Sequence, residues 1–138
     1  MFKLMNLVHP WLYRLRKGRG VDSTQGAPVL LVTTVGRKSG KPHTVATGYI
    51  RDGDDFVLIG SAGGQPRHPA WALNLRDRPE AEVQLYDQRF RVTSEWLAGE
   101  ERERAWRNVI ALHPFYAGYQ EKVERQLPLV RLRRVLPA

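Results

Sequence analysis

The sequence predicts a small, partly opened barrel of about six antiparallel strands, mainly β with flanking helices, and three observations carry the prediction. Short apolar or alternating runs recur at 29–35, 44–50, 56–60, 81–85, 88–93 and 129–135, each of strand length. Tight turn chemistry separates the early ones, Gly36-Arg-Lys-Ser-Gly40 first and Asp52-Gly53 next. Helical patterns occur only near the ends and in one crossover, which is the arrangement of a barrel rather than of a layered parallel sheet. At 138 residues the chain makes one domain, with an amphipathic helix expected over 1–17 and a linker over 18–28.

In the first segment Leu4, Leu7, Val8, Trp11, Leu12 and Leu15 form one apolar stripe at helical spacing, with Lys3, Asn6, Arg14, Arg16 and Lys17 off it. Pro10 kinks that helix or starts a second one. Two readings of the stripe stand: docking on the protein's own core, or peripheral contact with an anionic membrane. Residues 29–35 are β-branched and apolar, as in a strand covered on both faces, and 44–50 returns beside it. A third strand, 56–60, leads to a glycine loop and a short helix beginning near Pro69. Residues 81–85 and 88–93 alternate as a half-exposed hairpin does. A charged helix over 100–110 offers Ala105, Trp106, Val109, Ile110 and Leu112 as its inner face; Pro114 stops it, and 115–123 forms another short helix. The last strand, 129–135, roughly alternates apolar with basic residues.

Zero cysteines exclude disulfides, a thiol nucleophile and a cysteine-based metal site. His9, His43, His68 and His113 lack the short spacing of a metal motif, so no metal is expected. No apolar run approaches the roughly 20 residues that cross a bilayer, and no secretory pattern opens the chain. The expected location is therefore cytoplasmic, with contact at the inner membrane face as the alternative. Twenty-two Lys plus Arg against 14 Asp plus Glu give a net charge of +8, which favours an anionic partner. Nucleic acid is not expected, because the aromatics are not interleaved with the basic residues as a stacking platform requires.

Two stretches offer chemistry. Ser61-Ala-Gly-Gly-Gln-Pro-Arg-His-Pro-Ala-Trp-Ala-Leu-Asn74 reads as strand end, glycine turn and helix start, where backbone N–H groups can face a flat ligand. Gly36-Arg-Lys-Ser-Gly-Lys-Pro-His43 gathers three cations and a hydroxyl on a hairpin tip, suited to a phosphate or several carboxylates. Neither a catalytic triad nor a carboxylate pair accompanies them. Plain readings stand beside these: Trp71 as core, a tyrosine pair that covers the barrel's mouth, and His68 bound to the loop's backbone.

Thr33-Thr-Val-Gly-Arg-Lys-Ser-Gly-Lys-Pro-His43, Tyr49-Ile-Arg-Asp-Gly-Asp54 and the 61–74 stretch, in this order and spacing, resemble the deazaflavin-dependent nitroreductase family. The likeness continues through Pro79-Glu-Ala-Glu-Val83 and Pro114-Phe-Tyr-Ala-Gly-Tyr-Gln120, so it covers nearly the whole chain. It implies an FMN-binding-like split β-barrel and the reduced coenzyme F420, an 8-hydroxy-5-deazaflavin, as hydride donor. Quinones, nitroaromatics and activated alkenes are the small-molecule acceptors it implies. By the same resemblance Arg37, Lys38, Ser39 and Lys41 hold the coenzyme's phosphate and acidic tail, with His43 a weaker anion contact where many members have Arg. Ser61, Ala62, Gly63, Arg67, Pro69, Trp71 and Asn74 line the ring, and Tyr116 and Tyr119 face the acceptor. Val45-Ala-Thr-Gly48 replaces a common Pro-Leu pair, so one pocket wall is expected to differ. FMN or haem in the same barrel, and a non-catalytic basic binding module, are the alternatives; monomer and homodimer both remain open.

Overall fold

The computed structural model describes residues 23–24 and 27–136. The helix expected over 1–17 lies outside them. Seven strands run β1 Ser23–Thr24, β2 Ala27–Val35, β3 Pro42–Asp52, β4 Asp55–Ile59, β5 Glu80–Leu85, β6 Gln88–Trp96 and β7 Leu129–Arg134. Among the described residues three α-helices join them, α1 Ala70–Asp77, α2 Gly99–Leu112 and α3 Phe115–Glu121, with a short 3-10 turn at Ala62–Gly64. Every pairing is antiparallel, in the order β1-β2-β3-β4-β7-β6-β5, and β5 then pairs back onto β2 through Leu31↔Gln84, Val32↔Val83 and Thr33↔Glu82. The six expected strands are present, but they close fully where a partly opened barrel was expected, and among the described residues they leave no long edge exposed. β1 adds a two-residue flap, Ser23↔Pro28 and Thr24↔Ala27, so the end of the predicted linker is strand.

The alternation of the strands builds two main cores, and Val29 and Leu31 of β2 form a third, small cluster with Ala46. Leu30, Val32, Tyr49, Phe56, Leu58, Val83, Val92, Val130 and Leu132 fill the barrel, and Trp71, Ala72 and Leu75 of α1 close it as a plug. The other face of the same strands carries Ile50, Val57, Ile59 and Leu129, which α2 and α3 cover with Ala105, Val109 and Tyr116. Both faces of β4 are thus buried, which explains its unbroken apolar run.

Two strand boundaries and one helix face depart from expectation. β3 begins at Pro42 rather than Thr44, which puts His43 in the strand opposite Thr34. β6 continues to Trp96 because 94–96 pairs with 130–132 of β7, although Ser94 and Glu95 give little apolar signal. Leu112, expected on the inner face of its helix, is 59% exposed: the docking face runs through Ala105 and Val109 and ends there, one turn before the helix stops at His113. Among the described residues no helix is long and apolar enough to cross a membrane, and no group of acidic residues and histidines could hold a metal.

Candidate active site

The β2–β3 hairpin presents its tip by folding back on itself. Gly36 N–H donates to the Lys41 carbonyl at 2.8 Å, Gly40 N–H donates to the Gly36 carbonyl at 2.8 Å, and Gly40 takes φ 72°, a left-handed conformation that glycine adopts without steric cost. The Lys41 N–H donates to Ser39 Oγ at 3.1 Å, and Ser39 Oγ lies 3.3 Å from His43 Nε2. A Cβ on Gly36 would sit 2.6 Å from Ser39 Oγ and 2.9 Å from the His43 ring, so only glycine lets these two side chains fold over it.

A buried amide ties α1 to this tip. Asn74 donates from Nδ2 to Thr34 Oγ1 at 3.0 Å and accepts the Arg37 N–H on Oδ1 at 3.1 Å. Asn74 is only 4% exposed and Thr34 1%, so the bond between them is shielded from water, while the bond to the Arg37 N–H is part-buried. The result is a cavity of about 310 Å3 lined on one side by Thr34, Gly36, Arg37, Lys38, Ser39 and His43, and on the other by Val45, Ala70, Trp71 and Asn74. Cations and a hydroxyl therefore face an indole and aliphatic carbon across one space. Trp71 belongs to the barrel core and also walls this cavity.

The Ser61 loop is built differently from an ordinary connection. Ser61 is right-handed, φ −74° and ψ −32°, while Ala62, Gly63 and Gly64 have φ of 48°, 65° and 82°. A right-handed residue followed by left-handed ones turns successive N–H groups to one side and forms a small anion-attracting concavity. Ser61 is fully buried with no partner for its Oγ, an orphaned hydroxyl in the wall of that loop. A cationic tip, an aromatic wall, a turned backbone and an unsatisfied hydroxyl all fit a coenzyme with an anionic tail and a flat, carbonyl-bearing ring.

Not every expected residue joins this arrangement. Arg37, Lys38, Ser39, His43, Trp71 and Asn74 meet in the cavity, whereas Lys41 and Arg67 are exposed outside it. Ala62, Gly63 and Pro69 are half-buried along the connection between the loop and α1. The two tyrosines are separated by depth. Tyr116 is 1% exposed in the outer core, its hydroxyl pressed against Gly48 so closely that a Cβ there would collide with it, and burial above all, with Tyr119 second, pushes its phenol well above the ordinary range. Tyr119 is half-buried, and its ring and Lys122 lie against Gly64, where an added Cβ would come within 3.3 and 3.2 Å of them. Tyr119 thus faces the Ser61–Gly64 loop, and Tyr116 supports it from below with ring centroids 6.0 Å apart. The glycine of the unusual 45–48 stretch is what makes room for Tyr116.

His68 does not bind the loop backbone as expected. Its Nδ1 lies 3.0 Å from Arg125 Nη1, its ring meets Trp96 edge-on at 5.4 Å, and its pKa is lowered, by burial first and then by Arg125 and Arg76. Sequence reading missed Arg125 and Trp96 altogether. Nothing local marks an arginine before the last strand, and Trp96 falls where the strand signal had faded.

A closed six-stranded barrel with a plugging helix and a basic hairpin over an aromatic wall defines a split-barrel, coenzyme-binding protein. The family model described as F420H(2)-dependent quinone reductase matches residues 6–134. The chain belongs to that family. It is 35% identical over 131 residues to an F420H(2)-dependent quinone reductase of Mycobacterium tuberculosis, covering 92% of this chain and 88% of that one. Among solved structures, an F420-H2 dependent reductase superposes with TM-score 0.69 at 36% identity, covering 77% of this chain and 94% of the other. A chain described as a domain-swapped dimer superposes with TM-score 0.71 at 34% identity, covering 86% and 87%.

Proposed function

We propose that this chain reduces a quinone with reduced coenzyme F420 by bringing donor and acceptor into contact beside the Ser61–Gly64 loop. When bound, the reduced deazaflavin supplies a hydride. Arg37 and Lys38 take the anionic end of the coenzyme as paired donors on a preformed tip, and Ser39 and His43 add polar contacts. Trp71 and the loop backbone hold the flat end, and the Ser61 hydroxyl offers a hydrogen bond inside the barrel wall. Tyr119 is the acceptor-side donor, aimed from α3 at the loop, and its phenol stabilises an oxygen that gains negative charge. Nitroaromatics and activated alkenes are further acceptors under this proposal, because such a phenol serves a nitro or carbonyl oxygen alike. The domain-swapped relative supports a homodimer as the oligomeric state.

The observation that carries the reading is the single cavity in which the Arg37–Lys38 tip faces Trp71. Its test is anaerobic turnover of a soluble quinone with the reduced coenzyme, in wild type and in Tyr119→Phe. The substitution should leave the coenzyme dissociation constant unchanged and lower kcat/KM roughly tenfold to a hundredfold, as loss of one transition-state hydrogen bond does. A loss of coenzyme affinity with an unchanged rate from bound coenzyme would place Tyr119 in the coenzyme's pocket and overturn this division of the site.

A further inference from the structure

We propose that Arg125 is a positioning residue for this reaction, a clamp that shapes the 60–68 loop and ties it to the helix carrying Tyr119. The inference rests on the reading of that loop as the wall of the coenzyme ring. Arg125 lies between α3 and β7, and its guanidinium reaches four groups of the loop. Nε donates to the Gln65 carbonyl at 3.0 Å, Nη2 to the Ser61 carbonyl at 3.0 Å, and Nη1 to the Gly60 carbonyl at 3.1 Å and to His68 Nδ1 at 3.0 Å. A planar fork with fixed donors suits such a set, and an ammonium could not reproduce it.

The clamp decides which side of the loop offers donors. In a trans peptide the C=O and the following N–H point in opposite directions, so anchoring the Gly60 and Ser61 carbonyls turns the N–H groups of Ser61 and Ala62 the other way. That is the turned backbone assigned above to the ring. It also holds Ala62 at a positive φ, which an alanine in a free loop would leave. At the far end of the loop a guanidinium, which only donates, fixes Nδ1 of His68 as acceptor and leaves the ring neutral with its proton on Nε2. The groups facing His68 are Arg125, Arg76 of α1 and the Trp96 ring of β6; burial first, and then the two cations, lowers its pKa.

The same segment is held from the acceptor side. Gln120, next to Tyr119, donates from Nε2 to the Arg125 carbonyl at 2.8 Å and accepts the Leu127 N–H on Oε1 at 2.9 Å. Loop, clamp and tyrosine helix are thus one connected unit, so the position of Tyr119 relative to the loop is set through Arg125.

Arg102 provides the control, since it donates to the Leu127 carbonyl at 2.7 Å and so braces the same segment without touching the loop. The experiment compares Arg125→Met, Arg125→Lys and Arg102→Met with wild type. Coenzyme affinity of the folded protein and kcat/KM with a quinone are measured, and the His68 imidazole is titrated by NMR in the coenzyme-free protein. Arg125→Met should weaken coenzyme binding about tenfold and lower kcat/KM further, with the His68 pKa rising toward its ordinary value. Arg125→Lys should fall between it and wild type, and Arg102→Met should cost stability while leaving affinity and the His68 titration unchanged. Wild-type affinity in folded Arg125→Met, or an equal loss in Arg102→Met, would overturn the proposal. A wild-type chain that does not bind the coenzyme would overturn the functional reading instead, whereas a His68 titration unmoved in both Arg125 variants would overturn the clamp itself.

Discussion

Gly48 and Tyr116 show at single-residue scale how the site's support is built. The Tyr116 hydroxyl lies where a side chain on Gly48 would begin, while the next ring atom, Cζ, would be 3.6 Å from that Cβ, an ordinary contact. Gly48→Ala should therefore destabilise the protein by about 1–3 kcal/mol through overpacking. Adding Tyr116→Phe should restore most of that loss, because it removes the one colliding atom. Denaturant unfolding of both single variants and the double variant measures the coupling; simple additivity would show that the phenol moves aside at no cost. The burial that keeps this phenol protonated suits a supporting role for Tyr116 and leaves Tyr119 to face the loop.

At the scale of elements, the site depends on α1 being fastened to the β2–β3 tip, and Asn74 is the fastening. Asn74→Leu keeps approximate volume but leaves the Thr34 hydroxyl and the Arg37 N–H without partners. It should cost about 1–3 kcal/mol. Hydrogen exchange at the Arg37 amide should accelerate more than exchange in the barrel strands; unchanged protection at Arg37 would mean that the tip holds itself. Much of this architecture was legible in the sequence, and the reasons are local. β-branched runs and period-two alternation marked the six barrel strands, and glycine with basic residues marked the hairpin tip and the Ser61 loop. The misses are non-local. Leu112 continues a helical stripe beyond the surface it covers, and Trp96 belongs to its strand only because β7 lies beside it. Arg125 acquires its role from bonds to residues 57 to 65 positions away, which no window along the chain can reveal.

For the molecule as a whole, barrel closure through β2 and β5 provides a stiff frame, and its basic hairpin tip gives a +8 chain a local place to hold an anion. A coenzyme with a phosphodiester and an acidic tail can engage Arg37 and Lys38 together, whereas FMN ends at a single phosphate. The most direct measurement is a fluorescence titration with coenzyme F420 and with FMN, for wild type and for Arg37→Ala combined with Lys38→Ala, at low and at high salt. Wild type should bind F420 much more tightly than FMN, and the double substitution should weaken F420 binding more at low salt than at high salt, where the charges are already screened. FMN binding as tight as F420 binding would contradict the assignment of the cavity, and a loss independent of salt would show that the tip's charges do not hold the tail.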